Sequence, residues 1–552
     1  MAMSAINSSL SRLARRFEDN PGIREASDLY VDVANIAAIA AGTNSQVIFG
    51  RRGTGKTHTL LHLASKFQAA GNLPIYIDLR AIGSETSLYS DGQIDLAQRG
   101  TRLFLDIAGK LHSELLTALY NDTRRTEVFR DYDVPALLDA LASAATEVSL
   151  SGPVSKTSTR RTESKQSDNA SLNLRRDPAL TLAAESAQTD ESGYSVTRSG
   201  AENYTVKFGR LSTALSDIAE AWGEKKIVLL LDEWNSVPVD LQPFLADLLR
   251  RSIVPIRGIA LKIAAVQHRS KFAIHANDGQ YIGLELGADI FADINLDDYM
   301  SGFTRDLARE FFVTLLSKHV SAVLERDNQM KLFQDEREFQ SACFKTAKAF
   351  EEFVLSAEGL PRDGISIIAL AAQIAADKKI GVNDVRDAAL RWHEENKLAR
   401  LDSKTGAREL LEYLMDEVIG KKNTRGFIVT QAETRSNSLL QLLLDDRLIH
   451  LVRRGISSRD HAGVRFDAYV LDFGFYVTLR ATRKQPLPLQ ITGTDGELVD
   501  LREVPGADYR SVRAALLDFE EFRNRDNGPQ EPTLAKPATE LKGQIALDGL
   551  ET

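Results

Sequence analysis

The stretch Gln46-Val47-Ile48-Phe49-Gly50-Arg51-Arg52-Gly53-Thr54-Gly55-Lys56-Thr57-His58 decides how this chain is read. A short apolar strand runs into G-x-x-x-x-G-K-T. That spacing builds a loop whose backbone N–H groups turn inward on one anion. Gly50, Gly53 and Gly55 let the backbone curl without a Cβ in the way. Residues Gly50, Arg51, Arg52, Gly53, Thr54, Gly55, Lys56, Thr57 and His58 are therefore the expected nucleotide contacts. Lys56 would reach the β- and γ-phosphates, and the Thr57 hydroxyl would hold Mg²⁺. From His58 the apolar residues Leu60, Leu61, Leu63, Ala64 and Phe67 recur at helical spacing, so a helix N-terminus adds its positive dipole end to the loop.

A phosphate loop by itself does not separate a kinase from a GTPase or an ATPase; a second element does. Ile227-Val228-Leu229-Leu230-Leu231 is wholly apolar and ends in Asp232-Glu233. A strand buried on both faces of a parallel sheet reads this way. Its carboxyl end is where open α/β sheets bind ligands. We expect Asp232 to emerge beside the phosphate loop, at the tip of an adjoining strand, and to hold Mg²⁺ with Thr57. Glu233 is placed to orient and deprotonate an attacking water. A kinase has no need of that second acid, so the pair favours ATP hydrolysis.

Two further positions carry chemistry. The strand Ile259 to Val266 ends in Gln267-His268. Gln267, and after it His268, is the expected polar contact to the γ-phosphate or water; a plain strand cap is the competing reading. Glu358-Gly359-Leu360-Pro361-Arg362-Asp363-Gly364 precedes an apolar helix. Arg362 there either presents a guanidinium to bound nucleotide, a task suited to its fixed charge and bidentate grip, or is a solvated residue of a capping turn.

Composition limits the alternatives. The chain has 552 residues, 43% hydrophobic and 26% charged, with a net charge of −9. That is a soluble globular composition of about three domains, and not one that coats polyanions. Cys343 is the only cysteine, so no intramolecular disulfide exists. No apolar run reaches membrane-spanning length, so a cytosolic protein without a membrane partner is expected.

The coarse organisation follows from periodicity. Residues 1–300 read as an α/β domain with strands at Gln46–Phe49, Pro74–Leu79, 227–231 and 259–266. Within it, about 149–203 is polar and aperiodic and is expected to be a disordered insertion; its pairs Arg160-Arg161 and Arg175-Arg176 are more readily solvated than bound to nucleic acid. Residues 301–398 read as a helical block, with single helices over 303–323, 338–357, 364–376 and 383–395. Residues 405–484 read as a smaller mixed domain. A Pro- and acid-rich extension, 485–552, is expected to be partly disordered.

The loop Gly50–Thr57, the pair Asp232-Glu233, the polar strand end at Gln267, and the Gly-Leu-Pro-Arg-Asp turn occur in that order, before a helical block and a mixed domain. This resembles the AAA+ superfamily, most of all its initiator or origin-recognition type. The resemblance implies an α/β P-loop NTPase fold with an AAA+-like parallel sheet, a helical lid and a C-terminal winged-helix domain. It implies ATP and Mg²⁺ as cofactors, and an arginine finger for a neighbouring subunit. Arg250, Arg251 and Arg269 are candidates for that finger by position alone. Gln267 departs from the family's usual Asn, Thr, Ser or Asp.

The segment Lys421 to Lys484 holds about twice as many Lys and Arg as Asp and Glu. Lys421, Lys422, Arg425, Arg435, Arg453, Arg454, Arg459 and Arg465 fall in turns and wing strands. Such a patch suits phosphate contacts to double-stranded DNA, which give affinity without sequence choice. The competing reading is a winged helix that docks an effector protein. Phe473, Phe475 and Tyr476 read as core. Two functions thus stand side by side: an ATP-driven switch that couples nucleotide state to DNA or an effector, and a signalling NTPase acting through protein contacts alone. A homo-oligomer is a further partner the resemblance allows, although the missing finger signature tells against ring assembly.

Overall fold

The run Ile227–Asp232 is buried at every position, as is Ile259–Ala265. Strands of that kind must lie inside a sheet covered on both faces. In the computed structural model of the chain they do. The sheet has five strands: β1 (Gln46–Phe49), β2 (Leu73–Asp78), β3 (Ile227–Asp232), β4 (Ile259–Ala265) and β5 (Phe291–Asn295), in the order β5-β1-β4-β3-β2. β1 runs parallel to β4, β4 to β3 and β3 to β2. The register sets Phe49 beside Ala265 and Asp78 beside Asp232.

The structure describes residues 2–13, 27–32, 35–82, 96–121, 132–145, short stretches of 148–204, 208–275, 280–301, 305–327, 333–480 and most of 482–523. They form two compact units: one is Asn35–Phe49 with Lys56–Ile294, the other Met1–Ala34, Gly50–Gly55 and Asn295–Thr552.

In the sheet unit, helix α1 (Lys56–Ala69) follows the phosphate loop and buries Leu60, Leu63, Ala64 and Phe67. Those are four of the five apolar positions read as helical. Helices Leu96–Asn121, Val134–Ala145 and Phe208–Ala221, with α2 (Gln242–Ser252), bury their apolar faces in one core with Val47, Ile75, Leu229 and Ile263. The sequence reading missed β5, whose exposed Phe291 and Asp293 blur a buried-strand signature. In 149–203, disorder was expected, yet strands 148–151 and 201–204 pair antiparallel, and 186–189, 195–198 and 154–157 form a three-stranded sheet. Alternating Val, Ser and Thr suit such pairing, because β-branched residues favour extended backbone. Arg160-Arg161, Arg175-Arg176 and the tail from 524 lie outside the described residues.

The second unit holds a helical block: α3 (Leu296–Ser301), α4 (Arg305–Arg326), α5 (Glu336–Cys343), α6 (Ala347–Ser356), α7 (Pro361–Ala375) and α8 (Val382–Asn396). The single helix expected over 338–357 is two. At the break, Ile380 donates to the Cys343 carbonyl and accepts from Lys345 N–H, both at 2.9 Å. Thr346 then caps α6, accepting from Ala349 N–H at 3.2 Å. This strand-like exchange, plus a new N-cap, outcompetes helix continuation. Cys343 is buried, and burial pushes its thiol up.

The same unit continues through α9 (Thr405–Leu414), β6 (Gly426–Thr430), α10 (Gln431–Ser436), α11 (Ser438–Asp445), β7 (Ile449–Ser458) and β8 (Arg465–Leu471). The sheet order is β6-β8-β7, with β9 (Asp508–Tyr509) added parallel to β7. β6, Gly-Phe-Ile-Val-Thr, was missed because Arg425 and Gly426 hide its start. Phe473 and Tyr476 are buried, and Phe475 packs on the core below α9.

Candidate functional site

The residues read as a nucleotide site divide between the two units. In the sheet unit, Lys56 is buried at the first position of α1 and Thr57 follows it. The Thr57 hydroxyl pulls the Asp232 carboxyl down. β1 and β3 are not neighbours: β4 lies between them. Strand composition does not encode which flank a parallel crossover returns to, so the expectation of adjoining tips fails. Thr57 nevertheless acts on Asp232, because it sits on α1, beyond the end of the strand that the loop leaves.

Asp232 is fully buried. Its Oδ1 accepts from Glu233 N–H at 2.8 Å and its Oδ2 from the Tyr76 hydroxyl at 2.9 Å. Burial raises its carboxyl above the ordinary range and the charge of Glu233 adds to that, while the hydrogen bonds from Thr57, Glu233 N–H and Tyr76 pull the other way. A hard carboxylate oxygen and a hydroxyl are the donor chemistry Mg²⁺ takes, and Asp232 with Thr57 would supply it. The residues present fit that ion.

Glu233 has a left-handed backbone, φ 56° and ψ 42°. Such strain in a non-glycine residue gathers at functional sites. Its Oε2 accepts from Asn235 Nδ2 at 3.2 Å, and its Oε1 lies 4.0 Å from Arg80. Arg80 is also held by Asp78, at 2.6 Å. Tyr76, Arg80 and Asn235 were not singled out from the sequence. The alternation Ile-Tyr-Ile-Asp signals a strand and nothing of which carboxylate Tyr76 meets.

Gln267 is exposed at the carboxyl end of β4, the strand between β1 and β3. The loop after it is fastened by buried Gln242 of α2, which donates to the carbonyls of Val237 and Arg269 and accepts from Lys271 N–H. Trp234, after β3, stacks on Phe272, after β4, at 5.0 Å. These contacts hold the two strand-end loops together. Of the finger candidates, Arg250 and Arg251 both pair with Asp247 at 2.7 Å, and Arg250 also lies over the Tyr281 ring.

In the other unit, the loop residues take a course the sequence did not suggest. Arg51 does not turn inward. Its backbone N–H donates to Asp297 Oδ2 at 2.9 Å and its Nε to Oδ1 at 2.8 Å, with both side chains buried. A carboxylate with two donors from one residue outcompetes an inward-facing amide. Gly53 and Gly55 have φ of 93° and 95°, the left-handed region where glycine is favoured. Gly53 accepts from Arg362 N–H at 3.3 Å, and a Cβ on it would lie 3.1 Å from Arg362 Cβ. Arg362 therefore packs directly on the loop, at the start of α7.

Asp363, the next residue, is wholly buried. It pairs with Arg447, accepts from Trp392 Nε1 at 3.3 Å and lies 2.9 Å from Lys397. Lys397 also pairs with Asp472, which accepts from His393 Nδ1 and His450 Nε2. Burial by itself would raise both acids. The charges of Lys397 and Arg447 hold Asp363 below the ordinary range, and Lys397 with the two histidines holds Asp472 well below it. Burial pushes His450 down, outweighing Asp472.

The basic residues of the mixed segment are used unevenly. Arg425 is buried and lies against Tyr476 and Glu358, so it is structural. Arg435, Arg459 and Arg465 are exposed. Helix α11, Ser-Leu-Leu-Gln-Leu-Leu-Leu-Asp, has no Lys or Arg. Among the described residues no helix is long and apolar enough to cross a membrane.

Two solved structures show weak similarity to this chain. One is Cdc6p from Pyrobaculum aerophilum, 13% identical, covering 86% of this chain and 96% of its own, with a TM-score of 0.30. The other is a RuvB variant from Thermotoga maritima, 12% identical, covering 53% of this chain and 84% of its own, with a TM-score of 0.22. No protein-family model and no curated protein matches the sequence.

Proposed function

We propose that this chain is an ATP-binding and ATP-hydrolysing switch of the AAA+ type, with a helical lid and a winged-helix domain. The observation that carries the reading is the buried Asp232 at the end of a parallel strand, held by Tyr76 and Glu233 N–H and influenced by the hydroxyl of Thr57, one residue after the loop lysine. On this reading Lys56 binds the terminal phosphates and Glu233 aligns a water and takes its proton. Thr57 and Asp232 would hold Mg²⁺, which would supply positive charge against the phosphates. Gln267 contacts the γ-phosphate side of the water, and Arg362, resting on Gly53, reports whether the loop is filled. The test is nucleotide binding by a Lys56→Ala variant. Affinity for ATP unchanged from the native chain removes the reading.

The order α9-β6-α10-α11-β7-β8 matches the helix–strand–helix–helix–strand–strand plan of a winged helix. What it would touch is a separate matter. Exposed Arg459 and Arg465 at the β7–β8 hairpin suit phosphate contacts. The absence of any cation on α11 argues against that helix reading a DNA groove. That observation favours the second reading, an effector protein docked on the domain. ATPase activity measured with and without duplex DNA at low salt separates the two: stimulation supports DNA, and no binding supports a protein partner. Light scattering with and without ATP tests self-assembly.

A further inference from the structure

We propose that two arms tie the phosphate loop to the C-terminal domain, with Asp297 and Asp363 as positioning residues, so that the state of the loop sets the geometry of β7 and of the turn before it. The inference rests on the nucleotide-switch reading above and names how that switch reaches its output.

The first arm runs through α3. Asp297 holds both the backbone N–H and the guanidinium of loop residue Arg51. Its neighbour Asp298 pairs with Arg454 of β7 at 3.4 Å, and α3 packs against β7. Two consecutive carboxylates thus grip the loop and the wing strand. The second arm runs through α7. Arg362 N–H bonds the Gly53 carbonyl, and Asp363 pairs with Arg447. In each arm the two contacts are made by consecutive residues, 297–298 in one and 362–363 in the other. The Asp363–Lys397–Asp472 chain of buried ion pairs fastens α7, α8 and the end of β8 to one another.

Both arms arrive at irregular backbone. Arg447 is left-handed, with φ 61°, though it is not glycine. Arg454 lies where the β7–β8 register slips, between Arg453 and Ile456, next to Gly455 at φ 68°. Bulges re-aim side chains, and strained residues persist only where their surroundings impose them. Coupling between sites needs an element with two arrangements. The bulge and the left-handed turn, each joined by an ion pair to the loop side, are the elements to which the proposal assigns two arrangements.

The test is amide hydrogen exchange of the full chain with and without MgATP, with binding of a fluorescent ATP analogue measured in parallel. In the native chain, amides over 442–458 change exchange rate by about fivefold or more on nucleotide addition. In Asp298→Asn the response over 449–458 is lost while analogue binding persists. The double exchange Asp298→Arg with Arg454→Asp restores it, which a merely structural loss would not. In Asp363→Asn the response over 442–448 is lost; should that variant not fold, the Asp298 exchange still decides. A native chain that binds the analogue yet shows no change over 442–458 overturns the proposal, as does a full response in Asp298→Asn. A native chain that binds no analogue removes the underlying reading instead.

Discussion

The Tyr76 hydroxyl donates to Oδ2 of Asp232 across 2.9 Å, from β2 to the tip of β3. It positions a carboxylate that also accepts from Glu233 N–H. Removing the donor leaves a buried charge less well held, at a cost of about 1.5–3 kcal/mol for a hydrogen bond to a charged group. Tyr76→Phe is expected to raise the Mg²⁺ concentration for half-maximal ATPase activity by about tenfold. ATP binding in EDTA should stay as in the native chain. Equal Mg²⁺ dependence in the two proteins would show that the hydroxyl does not position the carboxylate.

Glu233→Gln keeps the size and the Asn235 contact of the side chain and removes the base. Nucleotide binding is expected to persist while turnover drops by about 10²–10⁴-fold, the span of general base contributions. Single-turnover hydrolysis checks it, and an undiminished rate assigns the water to another residue.

Lys397 sits between two buried carboxylates, Asp363 and Asp472. Lys397→Met removes the cation that the two carboxylates share, leaving Asp363 to Arg447 and Asp472 to the two histidines. The expected loss is about 3–5 kcal/mol, as for breaking a buried ion pair, read as a lower urea midpoint. The sign with pH follows from Asp472. Its carboxyl is depressed in the fold, so its contribution is present above the ordinary carboxylate range, near pH 4, and is lost as pH falls below that. An unchanged urea midpoint would mean that neither carboxylate depends on this lysine.

Lys262 lies on β4, wholly buried, donating to the Gly42 carbonyl at 2.7 Å and to Gln46 Oε1. Burial pushes its ammonium down to about 7, against the pull of Asp293. The unfolded chain keeps that proton up to about pH 10. Between the two values the unfolded state binds more protons, so stability rises with pH through this group. Unfolding of the native chain and of Lys262→Met at pH 7 and pH 9.5 measures it. The native chain should gain on the variant at the higher pH; a constant difference means the lysine stays charged in the fold.

Much of the sheet was legible locally. Ile227 to Leu231 announces itself because five apolar residues in a row have only one place to go, and Ile259 to Ala265 because Lys262 is the one charged residue in an otherwise apolar run. The glycines of the loop and the lysine heading α1 were legible because turn chemistry and helix starts are encoded within a few residues. The helix expected over 338–357 failed because its break depends on Ile380, far along the chain. Arg51 was assigned to the nucleotide because nothing nearby reveals the carboxylate that claims it.

Neighbouring residues specify the local objects: the glycine-rich loop, the strand ending in two acids, the Gly-Leu-Pro-Arg turn. Tertiary structure decided the partners. Tyr76 meets Asp232 across 156 residues and Arg51 meets Asp297 across 246. Backbone preferences act over a turn or a strand, whereas ion pairs and hydrogen bonds between distant residues depend on which strand returns to which flank of the sheet. No window of sequence carries that information, because it is fixed only when the whole core closes.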